Sequence, residues 1–164
     1  MPADRLQQER FMVVALQEAR EGLEEGERPF GSVVVHRGEI VGRGRNRAVS
    51  RRDPVLHAEI VAIRQAAQRL GLAEFGDATL YTTCEPCPMC CGAVFFAGIR
   101  RVVVGVRFAT LDRFSTRIYH YRHYTAEMLQ EMIGWPLEII DGILGPECEA
   151  IFRDWEIVGT QPGR

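Results

Sequence analysis

Residues 78–106 read ATLYTTCEPCPMCCGAVFFAGIRRVVVGV, and their character changes twice. The opening ATLYTT is rich in β-branched and aromatic residues and reads as a buried strand. The closing RRVVVGV is a continuous apolar run of the kind expected where both faces of a sheet are covered. Between them, CPMCCGAVFFAG is a helical stretch. Strand, helix and strand make a βαβ unit, whose two strands run parallel with the helix packed on the sheet. Pro86 disfavours helical geometry at Glu85, so Cys84 closes the first strand while Cys87 and Cys90 enter the first turn of the helix.

Working outward, residues 4–26 carry apolar positions at helical spacing between a candidate N-cap, Asp4, and a terminating Gly26. SVVVHRGEIVGRG (32–44) shows two β-rich runs broken at Arg37-Gly38-Glu39, a tight hairpin. HAEIVAIRQAAQRLG (57–71) is a helix ending at Gly71. Residues 107–136 form a long connection with a helical pattern in TAEMLQEMI, then a strand-like LEIIDGI and a last helix in PECEAIFRDW. A connection of that length permits a crossover to a parallel strand. The expected architecture is a three-layer α/β/α sandwich on a mixed five-stranded sheet, one domain over residues 1–164.

With 164 residues, 46% hydrophobic, the chain has material for one core. No apolar run approaches the ~18 residues of a membrane span. The start MPADRLQQER lacks the basic-then-apolar order of an export signal, so a reducing cytoplasm is expected. There, clustered cysteines are metal ligands or reactive thiols more often than disulfide partners, and five is an odd number to pair. The net charge of −2 lacks the footprint of a nucleic-acid binder, although the arginines at 43, 45, 47, 51 and 52 form a local cluster that reads either as a solvated loop or as a phosphate grip.

Cys87 shares a helix face with Cys90 or with Cys91, whereas Cys90 and Cys91 point apart, so at most two helical thiols can join one site. The helix N-terminus favours their thiolate forms. His57 stands at the start of the preceding helix, and two successive crossovers bring both helix starts to one sheet edge. One histidine and two cysteines are a ligand short of a closed tetrahedron, which leaves a place for water, as in a catalytic zinc site. Glu59 lies off the His57 face and is better placed to reach that water than the metal. The competing reading is a closed structural zinc site drawing four ligands from His57 and Cys84, Cys87, Cys90 or Cys91, which would make the chain an interaction module and not an enzyme.

HAE at 57–59 together with PCPMC at 86–90 resembles the zinc-dependent nucleobase and nucleoside deaminases. The likeness runs from PFGSVVV at 29–35 through GRGRN at 42–46 to the final helix. It implies zinc held by His57, Cys87 and Cys90, with Glu59 carrying a proton from water to a ring nitrogen and on to departing ammonia. It also implies substrate contacts from Asn46 and the backbone amide of Ala58; Phe30, beside Pro29, is placed as a stacking wall. PFG and YTTCEPCPMC look most like the guanine deaminase branch, which implies a free purine base as small-molecule substrate and a homodimer. Asp112, in TLDRFSTRIYHY, is the one acid near the position where that branch carries one. DPVLHAEI and GILGPECEAIF resemble the tRNA adenosine deaminases, which would make RNA the partner; cytosine deaminases are a third option.

Other residues carry plainer expectations. Cys84, Cys91 and Cys148 read as small buried residues, Cys91 packing in the core or facing a dimer partner. His36, His120 and His123 lack a spaced set of co-ligands and read as surface or structural. RIYHYRHY (117–124) reads as an aromatic lid, a solvated loop or a subunit contact. Asn46, after GRG, equally suits an ordinary turn.

Overall fold

Val33, Val34 and Val35 are consecutive and all buried, which a strand achieves only when both of its faces are covered. The computed structural model, which describes residues 2–158, shows that cover. In chain order the elements are α1 (Pro2–Glu24), β1 (Gly31–His36), β2 (Glu39–Arg45), α2 (Ala48–Arg51), α3 (Ala58–Leu70), β3 (Ala78–Cys84), α4 (Pro88–Phe96), β4 (Arg101–Val106), α5 (Phe108–Leu111), α6 (Ala126–Ile133), β5 (Glu138–Ile140) and α7 (Gly145–Val158). The strands form one sheet in the order β2-β1-β3-β4-β5, with β1 antiparallel to both neighbours and β3, β4 and β5 parallel. Val33 and Val35 pack with Met12 and Leu16 of α1 and Phe152 of α7, while Val34 packs on the other face with Ala62 and Ala66 of α3 and Val94 of α4. The result is the three-layer α/β/α sandwich on a mixed five-stranded sheet that the valine runs imply. No helix among the described residues is long and apolar enough to cross a membrane.

This topology sets the place of the chemistry. Since β2 and β3 are each antiparallel to β1, they point the same way, and the helices that follow them begin at the same sheet edge. The β1–β2 turn is tighter than the expected three-residue break: Arg37 and Gly38, both at positive φ (51 and 81), make a two-residue turn, and Glu39 already pairs with His36. The GRG of β2 has a packing reason. A Cβ on Gly42 or Gly44 would run into the backbone carbonyls of Ala62 and Ala58, so the glycines let α3 lie directly on the strand.

Other elements depart from the sequence expectation. The first helix begins at Pro2, which puts Asp4 inside the first turn, accepting a hydrogen bond from Gln8, and not at the cap. The four-residue helices α2 and α5 are too short to show a period. α2 owes its start to Glu27, whose buried carboxylate accepts from the amides of Val49 and Ser50, and to Asn46, whose Oδ1 accepts from Ala48 N. β5 shrinks to three residues at the sheet edge, and the last helix starts one residue earlier than its apolar pattern and runs to Val158.

Gly44→Ala is expected to lower unfolding stability in urea by roughly 1–3 kcal/mol, because a helix backbone has to move. Gly92→Ala, where a Cβ on α4 meets nothing within 4 Å, is the control and should be neutral or raise stability by up to about 1 kcal/mol.

Candidate active site

His57 and Cys87 occupy equivalent places, each immediately before a helix in extended backbone conformation (φ −71, ψ 157 and φ −68, ψ 169), and neither side chain makes a capping hydrogen bond. An N-cap side chain ordinarily satisfies an amide of the first turn. Here both are released and meet each other, with Cys90 joining from the first turn of α4. His57 Nδ1, Cys87 Sγ and Cys90 Sγ form a triangle with 3.6 Å along every edge. Tetrahedral zinc with bonds of roughly 2.0–2.3 Å spaces its nitrogen and sulfur ligands by roughly 3.5–3.8 Å. The triangle therefore has the dimensions and the donor set of one face of a zinc tetrahedron, and among the described residues it is the cluster able to hold a metal.

The other thiols are disposed differently. Cys91 contacts the Tyr124 hydroxyl at 3.1 Å and the Pro86 carbonyl, and burial pushes its thiol up to about 12. Complete burial also pushes Cys84 well above the ordinary thiol range, and all five cysteines are free and buried. Cys87 goes the other way: a hydrogen bond from the Cys90 thiol, against the cost of burial and with help from His57, brings it down to about 4. Glu59 is 3% exposed, and burial, reinforced by the negative Cys87 sulfur, pushes its carboxyl up to about 7. A carboxyl near neutrality can take up a proton and return it.

His57, Glu59 and Cys87 line a cavity of about 190 Å³ together with Asn46 and Phe30. Asn46 is both the turn-former and the liner that its sequence context offered as alternatives: Ala48 N holds its oxygen at 3.0 Å, which leaves the amide donors for an occupant. Phe30 is fixed edge-on to Phe152 with ring centroids 5.0 Å apart. Ala58 is the fully buried first residue of α3, its amide at the helix N-terminus. Asp112 is not brought to this cavity; its carboxylate holds His120 Nδ1 at 2.8 Å. His36 is likewise structural, paired with Asp77 at 2.9 Å.

Arg28, Glu85, Phe108, Trp155 and the segment at 117–121 complete the wall. Residues of RIYHYRHY cover the cavity: Arg117, Ile118, Tyr119 and Tyr121 all line it, with Tyr121 packed on Phe108 (5.0 Å) and stacked with Tyr119. Glu85 holds this cover in place. Its carboxylate accepts from Arg107 Nη1 (3.2 Å) and Phe108 N (3.1 Å) at one end of the connection and from Ala126 N (2.9 Å) at the other. Arg107 also bonds Glu127 and Asp141. A buried acid inside CEPC is a visible signal; its partners, 22 to 41 residues away, are not. The arginine cluster is largely neutralised, Arg45 by Glu18, Glu21 and Glu25, Arg47 by Glu25, and Arg43 by Glu18.

Residues 5–106 match the family model of the cytidine and deoxycytidylate deaminase zinc-binding region. The tRNA-specific adenosine deaminase of Bacillus subtilis (strain 168) is 35% identical over 152 residues, covering 90% of each chain. The guanine deaminase of the same strain is 46% identical over 90 residues, 54% of this chain and 58% of that one. A solved structure from work on A-to-I editing by tRNA:A34 deaminases at the wobble position of transfer RNA superposes with a TM-score of 0.74 at 33% identity, covering 87% of this chain and 98% of the other.

The Glu85 clasp is open to test. Glu85→Ala leaves two buried backbone amides without their acceptor and takes one of three carboxylates from Arg107, and should cost roughly 2–4 kcal/mol in denaturant unfolding. Limited proteolysis should then cut first within residues 107–126.

Proposed function

Because the chain belongs to the cytidine and deoxycytidylate deaminase family, whose members are zinc-type deaminating enzymes, we propose that it hydrolyses the exocyclic amine of a free purine base, with guanine the leading substrate. In this reading His57, Cys87 and Cys90 hold the zinc. Zinc bound there lowers the pKa of water toward neutrality. Glu59 takes a proton from the attacking water and delivers it to the ring nitrogen beside the amine-bearing carbon, then takes the remaining proton of the hydroxyl now on that carbon and gives it to the leaving amine, so that the ring carbonyl forms and ammonia departs. Asn46 and the Ala58 amide orient the ring, and Phe30 covers one of its faces.

The cover over the cavity carries the choice of a free base. Arg117, Ile118, Tyr119 and Tyr121 of this same chain, with Trp155, wall a space of about 190 Å³, below the ~300–1,000 Å³ of sites for drug-sized ligands. A single ring system suits that volume, whereas a base presented by RNA brings its ribose and phosphates through the wall. The carboxylates bound to Arg43, Arg45 and Arg47 point the same way, since paired guanidiniums are poor phosphate grips. The second reading, adenosine deamination in tRNA, draws its support from the 35% identity to the Bacillus subtilis enzyme over nine-tenths of both chains. Cytosine is the third. We read the enzyme as a cytoplasmic homodimer, for which the exposed Phe96 of α4 and Met132 of α6 (77% and 81%) offer apolar surface.

The zinc-loaded protein should release ammonia from guanine faster than from adenine, cytosine or an adenosine-containing anticodon stem-loop. Release from the stem-loop alone would replace this reading with the tRNA one. Glu59→Gln should lower kcat by about 10²–10⁴-fold while zinc stoichiometry, measured by elemental analysis, stays at the wild-type value.

A further inference from the structure

Eight arginines meet a carboxylate among the described residues, Arg45, Arg47, Arg101, Arg107 and Arg153 among them, and most of those that meet none lie on the outer surface. Arg28 and Arg117 meet none among the described residues, and both line the cavity. The acids of the same wall are already engaged. Glu59 is enclosed beside the three ligand side chains, and Glu85 is taken up by Arg107 and the amides of Phe108 and Ala126. On a chain with a net charge of −2, this wall thus keeps two guanidiniums for whatever enters.

Arg117 is the more constrained of the pair. Its Nη1 donates to the Trp155 carbonyl at 2.7 Å, and its guanidinium carbon lies 4.4 Å from the centre of the Trp155 ring. The indole ring holds the guanidinium from one side, and among the described residues a single bond leaves its other N–H groups without a protein acceptor. Trp155 belongs to the α1/α7 layer, whereas Glu59 belongs to α3 in the opposite layer. Arg117 is therefore presented from the layer facing the one that supplies the proton carrier.

We infer that Arg117 is a specificity-determining residue that reads the O6 and N7 acceptors of a 6-oxopurine, with Arg28 adding to the positive potential. This rests on the purine reading of the site. When the C2 amine of guanine is turned toward Glu59, the far edge of the bicycle carries O6 and N7, the acceptor pair that an arginine fork engages with two parallel bonds. Adenine turned with its C6 amine toward Glu59 offers N3 and N9 at the far edge and no oxygen. The fork thus favours an oxo purine over an amino purine without touching the reacting carbon.

The test compares steady-state kinetics of the zinc-loaded enzyme on guanine and on 2-aminopurine, which keeps the C2 amine and N7 and lacks O6. Arg117→Ala should lower kcat/KM for guanine by roughly 10- to 100-fold, chiefly through KM, and that for 2-aminopurine, which offers the fork N7 alone, by a clearly smaller factor. Arg117→Lys, which keeps the charge and loses the fork, should fall between the two on guanine. Zinc stoichiometry and circular dichroism of both variants should match the wild type. Equal losses on the two bases would overturn the contact and reduce Arg117 to a lid anchor on Trp155, while leaving the purine reading intact. A wild-type enzyme inactive on both bases would overturn the purine reading and the contact together.

Discussion

The direct contact between α3 and β2 is the constraint on which the site depends. Gly42 and Gly44 present no side chain to the helix, so the helix backbone lies on the strand, and the start of α3 is placed by main-chain packing. His57, Ala58 and Glu59 occupy that start, and their positions inherit its rigidity. β3, which runs the same way as β2 with β1 between them, then delivers the start of α4 to the same edge with Cys87 and Cys90. The equal 3.6 Å separations of the three donor atoms are therefore a property of two packed layers and not of a flexible loop.

Burial sorts five chemically identical thiols into different roles. At Cys84, Cys91 and Cys148 desolvation outweighs whatever favours a negative sulfur and keeps the thiols protonated. Cys87 differs in its neighbours, a thiol donor and an imidazole at the mouth of a helix. The arginines are sorted in a comparable way. Those on β2 are tied to α1 through Glu18 and Glu21, and to Glu25 just beyond it, and act as braces between two layers, whereas those facing the cavity are left for an occupant.

The parts legible in the sequence are those written in local pattern. The valine runs of β1 and β4 announce strands covered on both faces, and the proline between Glu85 and Cys87 separates strand from helix, so the layer architecture and the convergence of two helix starts follow from spacing alone. The two motifs HAE and PCPMC carry the family resemblance. What spacing cannot convey is pairing across the chain. Glu27 capping α2, Glu85 bridging residues 107 and 126, and Trp155 meeting Arg117 join positions more than twenty residues apart, and no periodicity links them. Asp112 is another such pairing: its carboxylate meets His120 eight residues on, a contact the spacing does not announce.

The clasp at Glu85 has a consequence for how such a protein can change over time. Because one carboxylate joins both ends of the connection, residues 107–126 form a loop closed at its base, and the entropy of closing it grows only with the logarithm of its length. Doubling that length would cost roughly 0.6 kcal/mol, far less than the loss of the clasp. Insertions and replacements beyond the clasp can thus reshape the ceiling while the floor, set by β2, β3 and the helices after them, stays as it is. Under the proposed function, reaction and selectivity are held by separate parts of the chain, and drift in the second need not endanger the first.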